Sequence, residues 1–278
     1  MEIQRLKRYS LVQETSENKQ QSPSSWLLWV DSSIDYYHKL QSAFPEIHIE
    51  LLSGLKAKNY NWCARITDLS EVLHQALERC LKAFSRTLCI SSDADECFTL
   101  SWHSKSGNGG KPKSTPMGQW VQLAKSYSTD PHSRGSETVA DLIAEQMNEF
   151  INRHPLYRTC DGILSVLPSN LDKAFDLPTY IAEKVARDYN IPYLNSAIFK
   201  KRRTAQMKFC LSLDDKLDNI ANSVGVHSKF ISGKNLLIID DIIDSGMTIM
   251  ETCRSLREAK ARSIRVLIAT KTLKRRFV

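Results

Sequence analysis

Two adjacent carboxylates, Asp240 and Asp241, end an apolar run, and Asp244, Ser245, Gly246, Met247 and Thr248 come directly after them. Ionised aspartates only accept hydrogen bonds, so a neighbouring pair suits the two hydroxyls of a ribose, directly or through Mg²⁺. Ser245 and Thr248 can each donate a hydroxyl, and Gly246 lets a ligand come close to the backbone. If a helix starts at once, the first-turn amides are free and sit at the positive end of the dipole, which suits a phosphate. The chemistry indicated is the binding of a phosphorylated sugar. On the other reading, the paired acids only cap a turn and the next helix.

Elements on either side must hold these residues in place. Asn235 to Ile239 is apolar, largely β-branched and without alternation, as expected of a strand covered on both faces of a parallel sheet. From Thr248 to about Ala259, apolar Ile249, Cys253 and Leu256 recur at roughly helical spacing. Thr248 and Glu251 match a Thr-x-x-Glu capping box that would start the helix.

The segment Leu236 to Thr248 resembles the fingerprint that binds 5-phosphoribosyl 1-pyrophosphate (PRPP) in type I phosphoribosyltransferases. Asp244 stands where Thr is more usual, Ser245 takes the small-residue position, Gly246 and Thr248 are in place, and Met247 replaces a smaller residue. The resemblance implies that Asp240 and Asp241 face the ribose hydroxyls, with Mg²⁺ as cofactor. It also implies that Asp244, Ser245, Gly246, Met247 and Thr248 hold the 5-phosphate.

Around the fingerprint an α/β rhythm is expected from residue 116 to 278. It comprises a helix over 136–152, a strand from Ile163 to Leu167, and a helix over 178–189 with Pro178 in its first turn. A strand from Ile191 to Ile198, the fingerprint strand and helix, and a strand from Ile264 to Ala269 complete it. Such alternation gives a parallel sheet flanked by helices, with ligands at the strands' carboxyl ends. Residues 103–116 are rich in Gly, Ser, Pro and Lys and read as a linker. Gly110-Lys111 is not a P-loop, because the spacing is wrong and Pro112 occupies the Ser/Thr position.

The resemblance extends over roughly Met117 to Thr272 and looks like the competence-protein F group, ComF-like relatives of amidophosphoribosyltransferases. Phe175-Asp176, Arg203-Thr204, Gln206, and Leu211 to Asn219 with Lys216 at a usual Arg carry this narrower likeness. Two departures stand out. The loop Pro168 to Ala174, where family members hold pyrophosphate with basic residues, offers only Lys173, and the usual N-terminal cysteine knuckle is absent. The basic cluster Lys200-Lys201-Arg202-Arg203 falls where the family's mobile catalytic loop closes. Arg202 and Arg203, with Lys173, are therefore the expected cations for the departing pyrophosphate, and Lys208 is a weaker candidate. A solvated basic loop is the competing reading.

Residues 1–115 form an additional region of uncertain α+β type. Trp26, Trp29, Tyr36 and Tyr37 lie among aliphatic residues and read as core, and residues 68–84 read as an amphipathic helix. Asp93-Ala94-Asp95-Glu96 could bind a cation or form a solvated turn. This region could recognise a nucleic acid or a protein partner, and a homo-oligomer is left open. The chain has 278 residues, 42% hydrophobic and 25% charged, as globular proteins do, and its net charge of +7 suits a polyanionic ligand or nucleic acid. No stretch reaches the roughly 18 apolar residues of a membrane span. Met1-Glu2-Ile3-Gln4-Arg5 has no apolar signal core, so no membrane contact is expected. Seven scattered cysteines without a Cys-x-x-Cys pair point to reduced thiols and a cytoplasmic location. A zinc site from Cys63, Cys80, Cys89 and Cys97 has the wrong spacing.

The function expected is phosphoribosyl transfer from PRPP to an unknown acceptor with release of pyrophosphate. Alternatives are a non-catalytic PRPP- or nucleotide-sensing regulator, or a ComF-like component of DNA uptake or of bacterial antiviral defence.

Overall fold

The computed structural model describes all residues except 15–24, 54–56, 108–110, 127–133, 169–174, 206–209, 211 and 274–278. The chain divides into two compact units. One comprises residues 3–89 and 150–156, and the other comprises residues 1–2, 90–149 and 157–278. The division therefore falls near residue 90 rather than at the expected 115.

The smaller unit is α+β. Strands β1 (Arg8–Gln13), β2 (Trp26–Asp31), β3 (His48–Leu52) and β4 (Trp62–Thr67) form an antiparallel sheet in the order β1-β2-β4-β3. Helices α1 (Asp35–Ala43) and α2 (Glu71–Arg86) accompany it, and Ser70 caps α2 by accepting a bond from the Leu73 amide at 3.3 Å. Tyr36 of α1 meets Phe84 of α2 edge-on, with ring centres 5.2 Å apart. Tyr36 is fully buried, whereas Trp26 and Trp29 are half-buried. Val72, which helical spacing puts on the apolar face of α2, is 73% exposed.

The larger unit is built on parallel strands in the order β5 (Glu96–Trp102), β10 (Ser263–Lys271), β9 (Asn235–Ile243) and β6 (Gly162–Ser165). Helices α3 (Pro116–Ser126), α4 (Arg134–Arg153), α5 (Leu177–Tyr189), α6 (Leu213–Ile220) and α7 (Met247–Glu258) accompany the sheet. The unalternated apolar runs of β9 and β10 are explained by burial: Leu236 to Ile239 and Val266 to Ala269 are wholly inaccessible. Asp176 caps α5 by accepting a bond from the Thr179 amide at 3.2 Å, and Asn190 closes it in the left-handed conformation at φ 53°.

Three expectations need correction. Residues 103–116 are not simply a linker, since Ser104–Ser106 and Pro112–Ser114 pair as an antiparallel hairpin. The expected strand over 191–198 is a single bridge from Tyr193 to Ile163; the chain then enters a separate hairpin of β7 (Ile198–Lys200) and β8 (Val224–Val226). Strand β5, where no strand is expected, pairs in parallel with β10 and begins this order. The Asp-rich turn before it is structural: Asp95 accepts the Ile264 amide at 2.7 Å and pairs with Arg257 at 3.1 Å.

Candidate functional site

Strand β9 is held unequally on its two sides. Its pairing with β6 ends at Ser165 opposite Ile239, while its pairing with β10 continues to Ile243 opposite Lys271. Beyond Ile239 no strand among the described residues pairs with that edge. Neighbouring strand residues point to opposite faces, yet Asp240 and Asp241 both line a single cavity. The cavity has a volume of about 500 Å³, well suited to a small ligand.

The two acids have different surroundings. Asp240 is 9% exposed, and its carboxylate accepts the Asp241 amide at 2.8 Å. Burial, and then the adjacent Asp241 charge, push its carboxyl well above the ordinary range. Asp241 is paired with Lys125 of α3 at 2.7 Å. On the far side of the pair, Thr270 donates to the Asp241 carbonyl at 3.2 Å and contacts His103 at 3.1 Å. Burial first, then the Lys125 charge, lower the basicity of His103.

The loop after β9 is braced from below. Lys271, 2% exposed, donates its ammonium to the carbonyls of Asp244 and Thr272, each at 2.9 Å. The Asp244 carboxylate accepts the Thr272 hydroxyl at 2.7 Å and meets Lys216 at 3.5 Å. Burial pushes that carboxyl up, but the hydroxyl and the Lys216 and Lys271 charges outweigh it, so Asp244 stays ionised below its usual value. Gly246 has φ 80°, a left-handed conformation, and α7 begins at Met247 without a side-chain cap.

The expected capping box at Thr248 is therefore not formed. Glu251 points elsewhere: 3% exposed, it takes two bonds from Arg254 at 2.8 Å and the Val224 amide at 3.5 Å. With Ser255, which donates to the Val224 carbonyl at 3.2 Å, it ties the β7–β8 hairpin to α7. Although burial raises the Glu251 carboxyl, Arg254 more than offsets this and its acidity is increased. Its contribution to folding is thus present above the unfolded value near 4.3 and is lost as pH falls through the lower folded value. Replacing Glu251 by Ala should cost about 2–4 kcal/mol at neutral pH, and less as the solution is acidified, in chemical denaturation. An unchanged denaturation midpoint at neutral pH would remove this tie from the account.

Of the expected site residues, Asp240, Asp241, Asp244 and Thr248 line the cavity, with Ser245 and Gly246 in the adjoining loop and Met247 at the first position of α7. Arg202 and Arg203 do not line it. Arg202 donates to the carbonyls of Asp218 and Ala221 at 2.7 and 2.8 Å, closing the end of α6, while Arg203 is exposed. Lys173 and Lys208 lie outside the described residues. The basic residue of the cluster that does face the cavity is Lys200, which donates to the Thr204 hydroxyl at 2.7 Å and is made less basic by burial. Lys125, Asp176 and Lys200 at the cavity and Lys271 beneath the loop complete the site. The Phe-Asp pair and the basic run were visible signals for Asp176 and Lys200, but no local motif marks Lys125 or Lys271.

Among the described residues, no group of three His, Cys, Asp or Glu side chains is placed to hold a metal ion. No described helix is long and apolar enough to cross a membrane.

Several solved structures overlap the chain loosely. One is described as the allosteric regulatory enzyme of purine biosynthesis: 13% identity, TM-score 0.36, covering 88% of this chain and 44% of that one. Another is glutamine PRPP amidotransferase from B. subtilis, with 13% identity, TM-score 0.34, and coverage of 88% and 46%. A third is a hypoxanthine phosphoribosyltransferase variant from Trypanosoma cruzi, with 17% identity, TM-score 0.30, and coverage of 50% and 68%. The chain thus spans less than half the length of the first two. Overlaps this loose carry nothing about activity. No curated protein matches the sequence. Residues 192–276, which contain the β7–β8 hairpin, the acidic pair, the glycine loop and α7, match the family model described as the phosphoribosyl transferase domain.

Proposed function

We propose that the cavity binds PRPP with Mg²⁺ and that the protein transfers its phosphoribosyl group to an acceptor, releasing pyrophosphate. The observation that carries this is the convergence of Asp240, Asp241, Asp244 and Thr248 on one cavity, inside the segment that matches the phosphoribosyl transferase domain. In this reading the uncapped first turn of α7 and the Gly246 loop hold the 5-phosphate. Lys271 keeps the loop carbonyls turned away from that anion. Asp240 and Asp241 accept the ribose hydroxyls.

Two oxygen-donor side chains beside a polyanionic ligand fit Mg²⁺, whose remaining positions would be filled by ligand and water oxygens. When bound, that ion would offset the charge gathering on the departing pyrophosphate. The C1–O bond to pyrophosphate breaks as the acceptor's lone pair bonds to C1, so the protein must supply cations around the leaving group and exclude water. Arg203 reaches the leaving group only if its loop folds over the cavity. Lys173 is a further candidate on sequence grounds. A ComF-like placement rests on the sequence likeness of Arg203-Thr204 and of Leu211 to Asn219 alone; Asn219 bonds the Ala205 amide and carbonyl at 2.8 and 2.9 Å and holds the chain just past Arg203-Thr204. The free thiols, six of them buried, suit a reducing cytoplasm.

One observation favours a second reading, a PRPP sensor without turnover: Arg202 is committed to the end of α6. Calorimetry with PRPP and Mg²⁺, together with pyrophosphate release over a panel of amines, bases and nucleic acids, separates the two. Heat of binding plus pyrophosphate release supports transfer. Binding with no release from any acceptor supports the sensor, and no binding at all defeats both.

A further inference from the structure

We infer that the outer face of the β7–β8 hairpin binds single-stranded nucleic acid, with a base stacked on Phe199 and phosphates held by Lys201 and Lys229. This goes beyond the sugar-phosphate reading and stands without it, because that reading uses the hairpin's other face.

Side chains alternate along a strand, so the two faces of the hairpin are distinct. Lys200 and Val224 pair across it, and both line the cavity. Phe199 pairs with Gly225, and these two face the other way. The ladder runs one residue past each strand: the Lys201 amide donates to the Ser223 carbonyl and the His227 amide to the Ala197 carbonyl, each at 2.8 Å. Lys201 and His227 therefore share the outer face with Phe199, and both are exposed. Gly225 is required there, since a Cβ at this position would run into the Phe199 ring. That ring lies against bare backbone, stands 4.8 Å from the His227 ring with 34° between their planes, and is still 41% exposed. Three residues after His227, Phe230 is 43% exposed and carries the Lys229 ammonium 4.7 Å from its ring centre.

Charge and shape select the partner. Residues 195–205 and 219–235, which form and flank the hairpin, include Lys200, Lys201, Arg202, Arg203, Lys229 and Lys234 but no Asp or Glu. A second copy of the chain would set these cations against their own kind, whereas a polyanion is attracted. An apolar peptide finds no pocket, because Ala197, Ile198, Val224 and Ile231 are buried. Flat exposed rings beside cations suit unpaired bases on a phosphate backbone, and such stacking tolerates any sequence. A duplex keeps its bases stacked on one another and offers the ring nothing.

Fluorescence anisotropy on the full chain tests this, with labelled dT and U oligonucleotides about twelve nucleotides long and a mixed-sequence duplex. The parent should bind a single strand, DNA or RNA, more tightly than the duplex, and its log affinity should fall linearly with log salt. Phe199→Leu, apolar but not flat, should bind about fivefold or more weakly, the loss of one stacked base, whereas Phe199→Trp should keep the parent's affinity. Lys201→Gln should reduce the salt slope by about 0.7, the share of one phosphate on a single strand. The inference is overturned if the parent binds no single strand at low salt, if the duplex binds as tightly, or if Phe199→Leu binds like the parent. Poly-glutamate binding with the affinity of the oligonucleotides would make this face a dock for acidic proteins and overturn it as well. Should Phe199→Leu unfold, the duplex comparison and the Lys201→Gln slope still decide.

Discussion

Asp240→Asn should weaken PRPP binding by about a hundredfold or more while leaving the fold at least as stable as the parent. The loss of affinity follows from removing a charged acceptor from ribose hydroxyls and Mg²⁺, each charge-assisted contact being worth about 1.5–3 kcal/mol. The gain or neutrality in stability follows from the surroundings of the carboxylate. Asp240 is buried next to a second acid, and its carboxyl is held well above the ordinary range by burial and by Asp241. A carboxyl raised in this way favours folding below its unfolded value near 3.9 and works against folding as pH rises through the folded value. Asparagine has the same shape, can still accept the Asp241 amide, and does not ionise. The stability difference between variant and parent should therefore widen as pH increases from acid to neutral, as followed by urea denaturation. Affinity falling with stability held marks a residue kept for ligand binding. A variant that binds PRPP like the parent, or that unfolds, would place Asp240 among the structural groups instead.

What could be read from the chain in advance was whatever is encoded over a few consecutive residues. The apolar run, the acid pair, Gly246 and the helical spacing of Ile249, Cys253 and Leu256 describe a local strand, turn and helix. Those three helix residues are buried as the spacing requires. Thr248 and Glu251 show the limit of the same method, because a Thr-x-x-Glu pattern cannot reveal that an arginine on the next turn and a hairpin amide compete for the glutamate. Strand β5 was hidden for a different reason. A parallel strand is specified by partners far along the chain: Arg265 to Ile268 lie opposite Glu96 to Thr99, and nothing within the short run from Glu96 to Trp102 announces that pairing. The cations were the least legible. Lys125 and Lys271 have the same side chain as any solvated lysine, and only the fold sets one on Asp241 and buries the other beneath Asp244. Arg202, in a conspicuous basic run, is spent on the carbonyls at a helix end.

Gly246→Val should abolish detectable PRPP binding and cost about 2–4 kcal/mol of stability. Two independent causes add. The backbone at Gly246 has φ 80°, where a β-branched residue is strained by the clash of its Cβ with the neighbouring peptide. A Cβ there would also collide with the sulfur of Met1 and lie 3.6 Å from Cδ1 of Ile243, so either the loop or the N-terminal side chain must move. The chain can relieve the strain by turning the loop toward negative φ. That rotation redirects the peptide ahead of α7, removing an amide from the phosphate site and lifting the loop from Lys271. Gly246→Ala separates the causes: it carries the φ penalty with less bulk, so it should lose less stability than valine yet still bind poorly if loop geometry is what grips the phosphate. Ribose 5-phosphate titrations on both variants read out that geometry at the 5-phosphate alone. Undiminished binding by the alanine variant would show that the anion does not rest on this turn, and the phosphate site would have to lie elsewhere in the cavity.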